Sequence, residues 1–154
     1  MRLTHCWPAP LILALAAMSS GCSHFKPAAG SGKPATEQSL AALENVDLNC
    51  VRLVDDGTAA KLPPDAGITF RITGPGKVAG RAAVNRYFGG YTLVGPGAVT
   101  WTPFGSTRMA GPPERMILEN QFLQTLPKTT QADTTANGLI FQSADGRNVV
   151  EFRR

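Results

Sequence analysis

From Val46 the pattern becomes β-rich, with apolar and polar residues alternating at a period of two within particular segments. Over residues 67–73, Ile68, Phe70 and Ile72 fall on one face and Thr69, Arg71 and Thr73 on the other, which predicts a half-buried strand. Residues 47–54 predict another, with Leu48 and Cys50 set against Asn49 and a turn signal at Asp55-Asp56-Gly57. Gly74-Pro75-Gly76 separates the first of these strands from a return over 77–80, which predicts a hairpin. Strands over 91–94 and 98–104 are divided by Gly95-Pro96-Gly97. At the carboxyl end, 139–141 and 149–152 flank Asp145-Gly146 and predict a terminal hairpin. One stretch departs from this pattern. Residues 115–126 place Met116, Leu118, Phe122, Leu123 and Leu126 at three- and four-residue spacings, the signature of a buried helical stripe. Pro112 and Pro113 are tolerated in the first turn, Glu114 suits the positive end of the dipole, and Pro127 stops the run. Glu119 lies on that stripe and must find a partner there, because an unpaired buried carboxylate is costly.

The amino-terminal pattern is different. Arg2 precedes an apolar run over 9–18 that is followed by Ser19-Ser20-Gly21-Cys22, the order of an export signal and shorter than the ~20 residues a spanning helix needs. The small pair before Cys22 resembles a bacterial lipobox, in which the cysteine is diacylated and becomes the first mature residue. Ser19 stands where that pattern usually has Leu, and the positive region is a single Arg2. Ordinary signal cleavage nearby is the alternative, and it would leave Cys22 a free thiol. Acylation implies a membrane partner reached through Cys22, and Ser23, in place of the Asp that marks inner-membrane retention, favours the outer membrane. Residues 1–21 are thus expected to be a signal peptide and 22–44 a tether, since Pro, Ala, Gly, Ser and Lys dominate before Leu40. Within the tether, 36–44 read as a short helical turn leading into a domain over 45–154.

Composition narrows the function. With 154 residues, 43% apolar, the chain suits one domain with appendages. A net charge of +4 lacks the concentration expected of a nucleic-acid binder, so no nucleic acid is expected as partner. Outside the signal the one histidine is His24, in the tether, which removes Ser-His-Asp and Cys-His nucleophiles and clustered His/Cys zinc sites from the domain. No metal and no cofactor are expected. The segment 74–80 lacks the Ser or Thr and the glycine spacing of a phosphate loop and reads as a turn. Cys50, on an apolar strand without a CxxC or a neighbouring histidine, reads as a small buried hydrophobe.

Three segments carry a family resemblance: Ala83-Val84-Asn85-Arg86-Tyr87-Phe88-Gly89-Gly90-Tyr91, Ser106-Thr107-Arg108-Met109-Ala110-Gly111 and Leu118-Glu119-Asn120-Gln121-Phe122-Leu123. In order and spacing they resemble the hallmarks of the META domain, a family that includes the heat-inducible HslJ-type outer-membrane proteins. The resemblance implies an α+β fold, a small curved antiparallel sheet or partial barrel packed on one helix, tethered or secreted in bacteria and without an established enzymatic activity. Many members have cysteines where this chain has Val84 and Gly111, and a disulfide between those segments is what the resemblance implies for them; here neither sulfur is present.

Asn85, Arg86, Tyr87, Arg108 and Glu119 form the candidate polar network. In a structural reading Asn85 secures a turn, Arg86 and Arg108 pair with Glu119 or with carbonyls, and Tyr87 and Phe88 pack on the helix. In a binding reading Arg86, Tyr87, Arg108 and Trp101 lie on an exposed face that grips an envelope protein or ligand. The expected protein is a non-enzymatic, membrane-tethered lipoprotein acting as an interaction or envelope-stress module. A periplasmic small-ligand carrier is the alternative, and it would need a lined cavity of ~300 Å³ or more in a half-open barrel.

Overall fold

The alternating segment around Phe70 becomes strand β4 (Thr69–Gly74), and Phe70 and Ile72 are buried as the pattern requires. In the computed structural model, which describes residues 32–154, β4 turns at Gly76 (φ 66°) into β5 (Lys77–Ala82), completing the expected hairpin. Before them lie β1 (Lys33–Pro34), helix α1 (Glu37–Ala41), β2 (Leu48–Asp55) and β3 (Thr58–Ala59). After them come β6 (Asn85–Gly95), β7 (Ala98–Trp101), β8 (Gly105–Ser106), helix α2 (Pro113–Thr125), β9 (Gln131–Thr135), β10 (Gly138–Gln142) and β11 (Val149–Arg153). A 3₁₀ turn (Leu126–Lys128) carries α2 through Pro127, and β10–β11 is the terminal hairpin.

The strands pair antiparallel in the order β9-β10-β11-β2-β4-β5-β6-β7, and β7 pairs back onto β9. This overturns the expected α+β fold with a small curved sheet or partial barrel packed on one helix. The molecule is mainly β: a closed eight-stranded antiparallel barrel, with β1, β3 and β8 added outside the ring as partners of β9, β2 and β6. Closure depends on backbone groups. Val99 donates its N–H to Thr130 O (3.0 Å) and Ala132 donates to Gly97 O (2.8 Å). A closed ring leaves no open sheet edge to template aggregation.

The structure also shortens the expected tether. Thr36 caps α1 by accepting from Ser39 N while Ser39 Oγ accepts from Thr36 N, and Ala35, Leu40 and Leu43 are buried in the main core. Residues 33–44 therefore belong to the folded unit. The expected signal peptide, Cys22 and the first part of the expected tether lie outside the described residues.

Inward-facing rings fill the barrel. Phe70 lies 5.2 Å from Phe141 and 5.0 Å from Phe152 between ring centroids, and Trp101 lies 5.1 Å from Phe141. Phe122 of α2 joins them, 5.3 Å from Tyr87 and 6.1 Å from Phe152. Leu118, Phe122 and Leu126 are the buried part of the predicted stripe, whereas Met116 and Leu123 are only half-buried. The void between Leu40, Phe70, Tyr91, Trp101 and Phe141 measures about 10 Å³, room for roughly one water and no ligand.

Candidate functional site

The three hallmark segments meet around one buried carboxylate. Between β5 and β6 the chain turns through Ala83, whose φ of 67° lets two residues reverse it, and this aims the N–H groups of Val84 and Asn85 at α2. There Glu119 Oε2 accepts from Val84 N (3.1 Å) and Asn85 N (2.6 Å), and Glu119 Oε1 accepts from Asn85 Nδ2 (2.8 Å). The other amide hydrogen of Asn85 goes to Met109 O (3.1 Å), and Asn85 Oδ1 accepts from Thr107 Oγ1 and Met109 N, both at 2.8 Å. Asn85 thereby uses two donors and two acceptors, the full capacity of a primary amide. The strand turn, the segment after β8 and the helix are held by a residue that is 1% exposed and another that is 6% exposed. Neutral donors, rather than an opposite charge, satisfy the carboxylate.

This arrangement corrects part of the structural reading. Neither Arg86 nor Arg108 reaches Glu119; both side chains are exposed and form no ion pair among the described residues. Asn85 takes the place expected of arginine. Tyr87 faces inward, donates its hydroxyl to Thr69 O (2.9 Å) and packs on Phe122 and Phe104; burial pushes its phenol well above the ordinary tyrosine range. Phe88, its neighbour, points outward and is 62% exposed instead of packing on the helix. Trp101 also belongs to the interior, its Nε1 donating to Thr129 at 3.1 Å, so it is not part of an exposed face. Residue types alone did not single out Thr107, which reads as an ordinary β8 neighbour until its hydroxyl is seen to bridge Asn85 Oδ1 and Arg86 N.

Two other features bear on chemistry. Cys50 is half-buried and gives its thiol hydrogen to Arg52 O at 3.4 Å; burial pushes the thiol up to about 12, so it is held protonated. Beside α2, an open groove of about 520 Å³ runs between Ile117, Gln121 and Glu114 on one side and Lys61, Pro63 and Asp65 on the other. Arg115 bridges its walls through an ion pair with Asp65 and a 3.0 Å bond to Asp65 O. Among the described residues no cluster of three or more His, Cys, Asp or Glu side chains converges to hold a metal.

The fold and clasp define a class: a closed antiparallel β-barrel whose α2 helix is latched to a strand turn by a buried Asn–Glu network. The family model of the META domain matches residues 38–154, and the chain belongs to that family. Its fold is similar to the NMR structure of a protein from Burkholderia xenovorans, at 24% identity over 84% of this chain and 94% of that one, with a TM-score of 0.61. It is also similar to the crystal structure of a DUF4847 family protein from Bacteroides vulgatus, at 12% identity over 73% of this chain and 94% of that one, with a TM-score of 0.54. No curated protein matches the chain by sequence.

Proposed function

We propose that the protein is a non-enzymatic module of the bacterial cell envelope, tethered at the outer membrane through an acylated Cys22, that acts by presenting its barrel surface to an envelope partner. The observation that carries this reading is the complete internal use of the buried hallmark polar groups. Asn85 has all four side-chain positions filled and Glu119 accepts three hydrogen bonds, so this pair serves as a clasp and offers no free acid or base. The hallmark arginines, Arg86 and Arg108, remain turned to solvent, which supports work done at the surface. The tethering half of the proposal rests on the signal-like run and the Ser20-Gly21-Cys22 junction.

The test is the intact mass and membrane partitioning of the protein made in a Gram-negative host, beside Cys22→Ala. A mature mass beginning at an acylated Cys22, with membrane association lost in the variant, is the expected result. An unmodified soluble periplasmic protein would overturn the tether. A small-ligand carrier is favoured by one observation, the 520 Å³ groove beside α2, and not by the barrel interior. Such a carrier would retain a bound small molecule in native mass spectrometry and lose it on Ile117→Asp.

A further inference from the structure

We propose that the outer face of β4, β5 and β6 docks on an anionic phospholipid surface, with Lys77, Arg81 and Arg86 on headgroup phosphates and Phe88 at the interface between them. The inference rests on the tethered reading above and adds how the tethered barrel is oriented.

Strand alternation buries Tyr87 and Tyr91 and turns Arg86 and Phe88 outward. The β5–β6 register sets Arg81 directly opposite Arg86, Ala79 opposite Phe88 and Lys77 opposite Gly90. Three bases therefore bracket one exposed ring. Like charges directly opposite each other destabilise a strand pair, and nothing in this half of the barrel relieves them. Residues 66–113, which supply β4 through β8, contain Arg71, Lys77, Arg81, Arg86 and Arg108 and no Asp or Glu. Arg71 alone of these has an ionic partner among the described residues, Asp47 from the loop before β2.

An anionic bilayer matches both halves of this surface, since guanidinium and ammonium groups bind phosphate and aromatic rings settle at the headgroup level. An acidic protein would answer the charge, but the point of entry of the chain favours the membrane. Ala35 O accepts from Gly97 N at 2.8 Å, so the amino-terminal segment joins the barrel beside the β6–β7 turn, at the end of the strand that carries Phe88. Eleven residue steps from Cys22 to Lys33 span at most about 40 Å of extended chain, which keeps this face within reach of a bilayer holding Cys22.

The barrel and its core lie within residues 32–154, so the chain from Ser23 to Arg154 tests docking without the apolar leader or an acyl chain. Its sedimentation is measured with phosphatidylcholine vesicles, with and without phosphatidylglycerol, at low and high salt. Binding to the anionic vesicles alone, released by salt, is expected. Arg81→Gln with Arg86→Gln should weaken it about thirty-fold, from about five-fold per charge; Phe88→Ser should also weaken it, whereas Arg147→Gln on the β10–β11 turn should not. Melting curves confirm that the variants remain folded. Equal binding to neutral vesicles, no binding to anionic ones, or equal sensitivity to Arg147→Gln would overturn the proposal. Arginine-dependent binding to polyglutamate without vesicle binding would overturn it in favour of an acidic protein. Because this chain lacks Cys22, none of these outcomes depends on acylation, which the intact mass decides separately.

Discussion

At the scale of single residues, Asn85 and Glu119 show why a buried polar pair is tolerated only when it is complete. Removing the carboxylate with Glu119→Ala strands the N–H of Asn85 and one hydrogen of Asn85 Nδ2, while Val84 N–H keeps its 2.9 Å bond to Ala82 O, and unmade buried hydrogen bonds of this kind cost about 1–3 kcal/mol each before relaxation. The expected loss is about 3–5 kcal/mol in denaturant unfolding. Glu119→Gln keeps the shape and one acceptor but turns an NH₂ toward these donors, so an intermediate loss is expected. A Glu119→Ala protein as stable as wild type would show that the network contributes nothing to the fold. Arg86→Gln, which removes an exposed side chain, should stay within about 0.5 kcal/mol.

At the scale of elements, two sites test how the strands are joined. Gly97 occupies φ 72° in the β6–β7 turn, and a Cβ there would come 3.0 Å from Pro34 Cβ and 3.3 Å from Ala132 O. Gly97→Val is therefore strained by its backbone and pressed against both β1 and β9, the strand that closes the ring. We expect about 2 kcal/mol of destabilisation, with hydrogen exchange accelerating first at the amides of Ala35, Val99 and Ala132; uniform acceleration across the barrel would contradict a local closure defect. The second site lies at Val84 and Gly111, where the family resemblance implies cysteines. A Cβ built on Gly111 would lie 3.4 Å from Val84 Cβ, close to the ~3.5–4.5 Å of a disulfide. Val84→Cys with Gly111→Cys should oxidise spontaneously and add about 3 kcal/mol by closing a loop of about 27 residues. Free thiols in the oxidised double variant would show that the segments diverge.

At the scale of the molecule, the carboxylates do not all respond alike to acid. The Lys128 ammonium, 2.9 Å from Asp55, holds that carboxyl below its ordinary value, and a hydrogen bond from Arg71 does the same for Asp47. Each is more acidic folded than unfolded, so each adds stability that is present above the unfolded pKa of about 3.9 and is lost as pH falls through the lowered folded value. Burial pushes Asp133 the other way; its charged form opposes folding at neutral pH, and that penalty fades as pH falls through the raised value. Accordingly Asp55→Asn should lower the melting temperature at about pH 7 and Asp133→Asn should raise it, with both differences from wild type closing toward about pH 3. Shifts of the same sign would refute this assignment. The same uneven distribution of charge leaves β4–β8 without an acid and gives the barrel its basic side.

The sequence by itself determined the local elements. Period-two alternation around Phe70, the Gly-Pro-Gly turns, the helical stripe through Leu118 and Phe122 and the three hallmark segments are short-range signals, and local sterics and burial act on them directly. It also made legible that Glu119 needed a partner, and it contained the residues that became the clasp. Tertiary structure decided who the partner was. Arginine is the usual choice for a buried carboxylate, and the selection of Asn85 follows from the turn at Ala83, which aims two backbone N–H groups at α2. Closure of the barrel was illegible because β9 offers one apolar residue, Ala132, and joins β7 through backbone groups that every residue possesses. The inclusion of residues 33–44 was hidden for a similar reason: their composition resembles a tether, but pairing with β9 and burial of Ala35 and Leu40 compensate the entropy of ordering them.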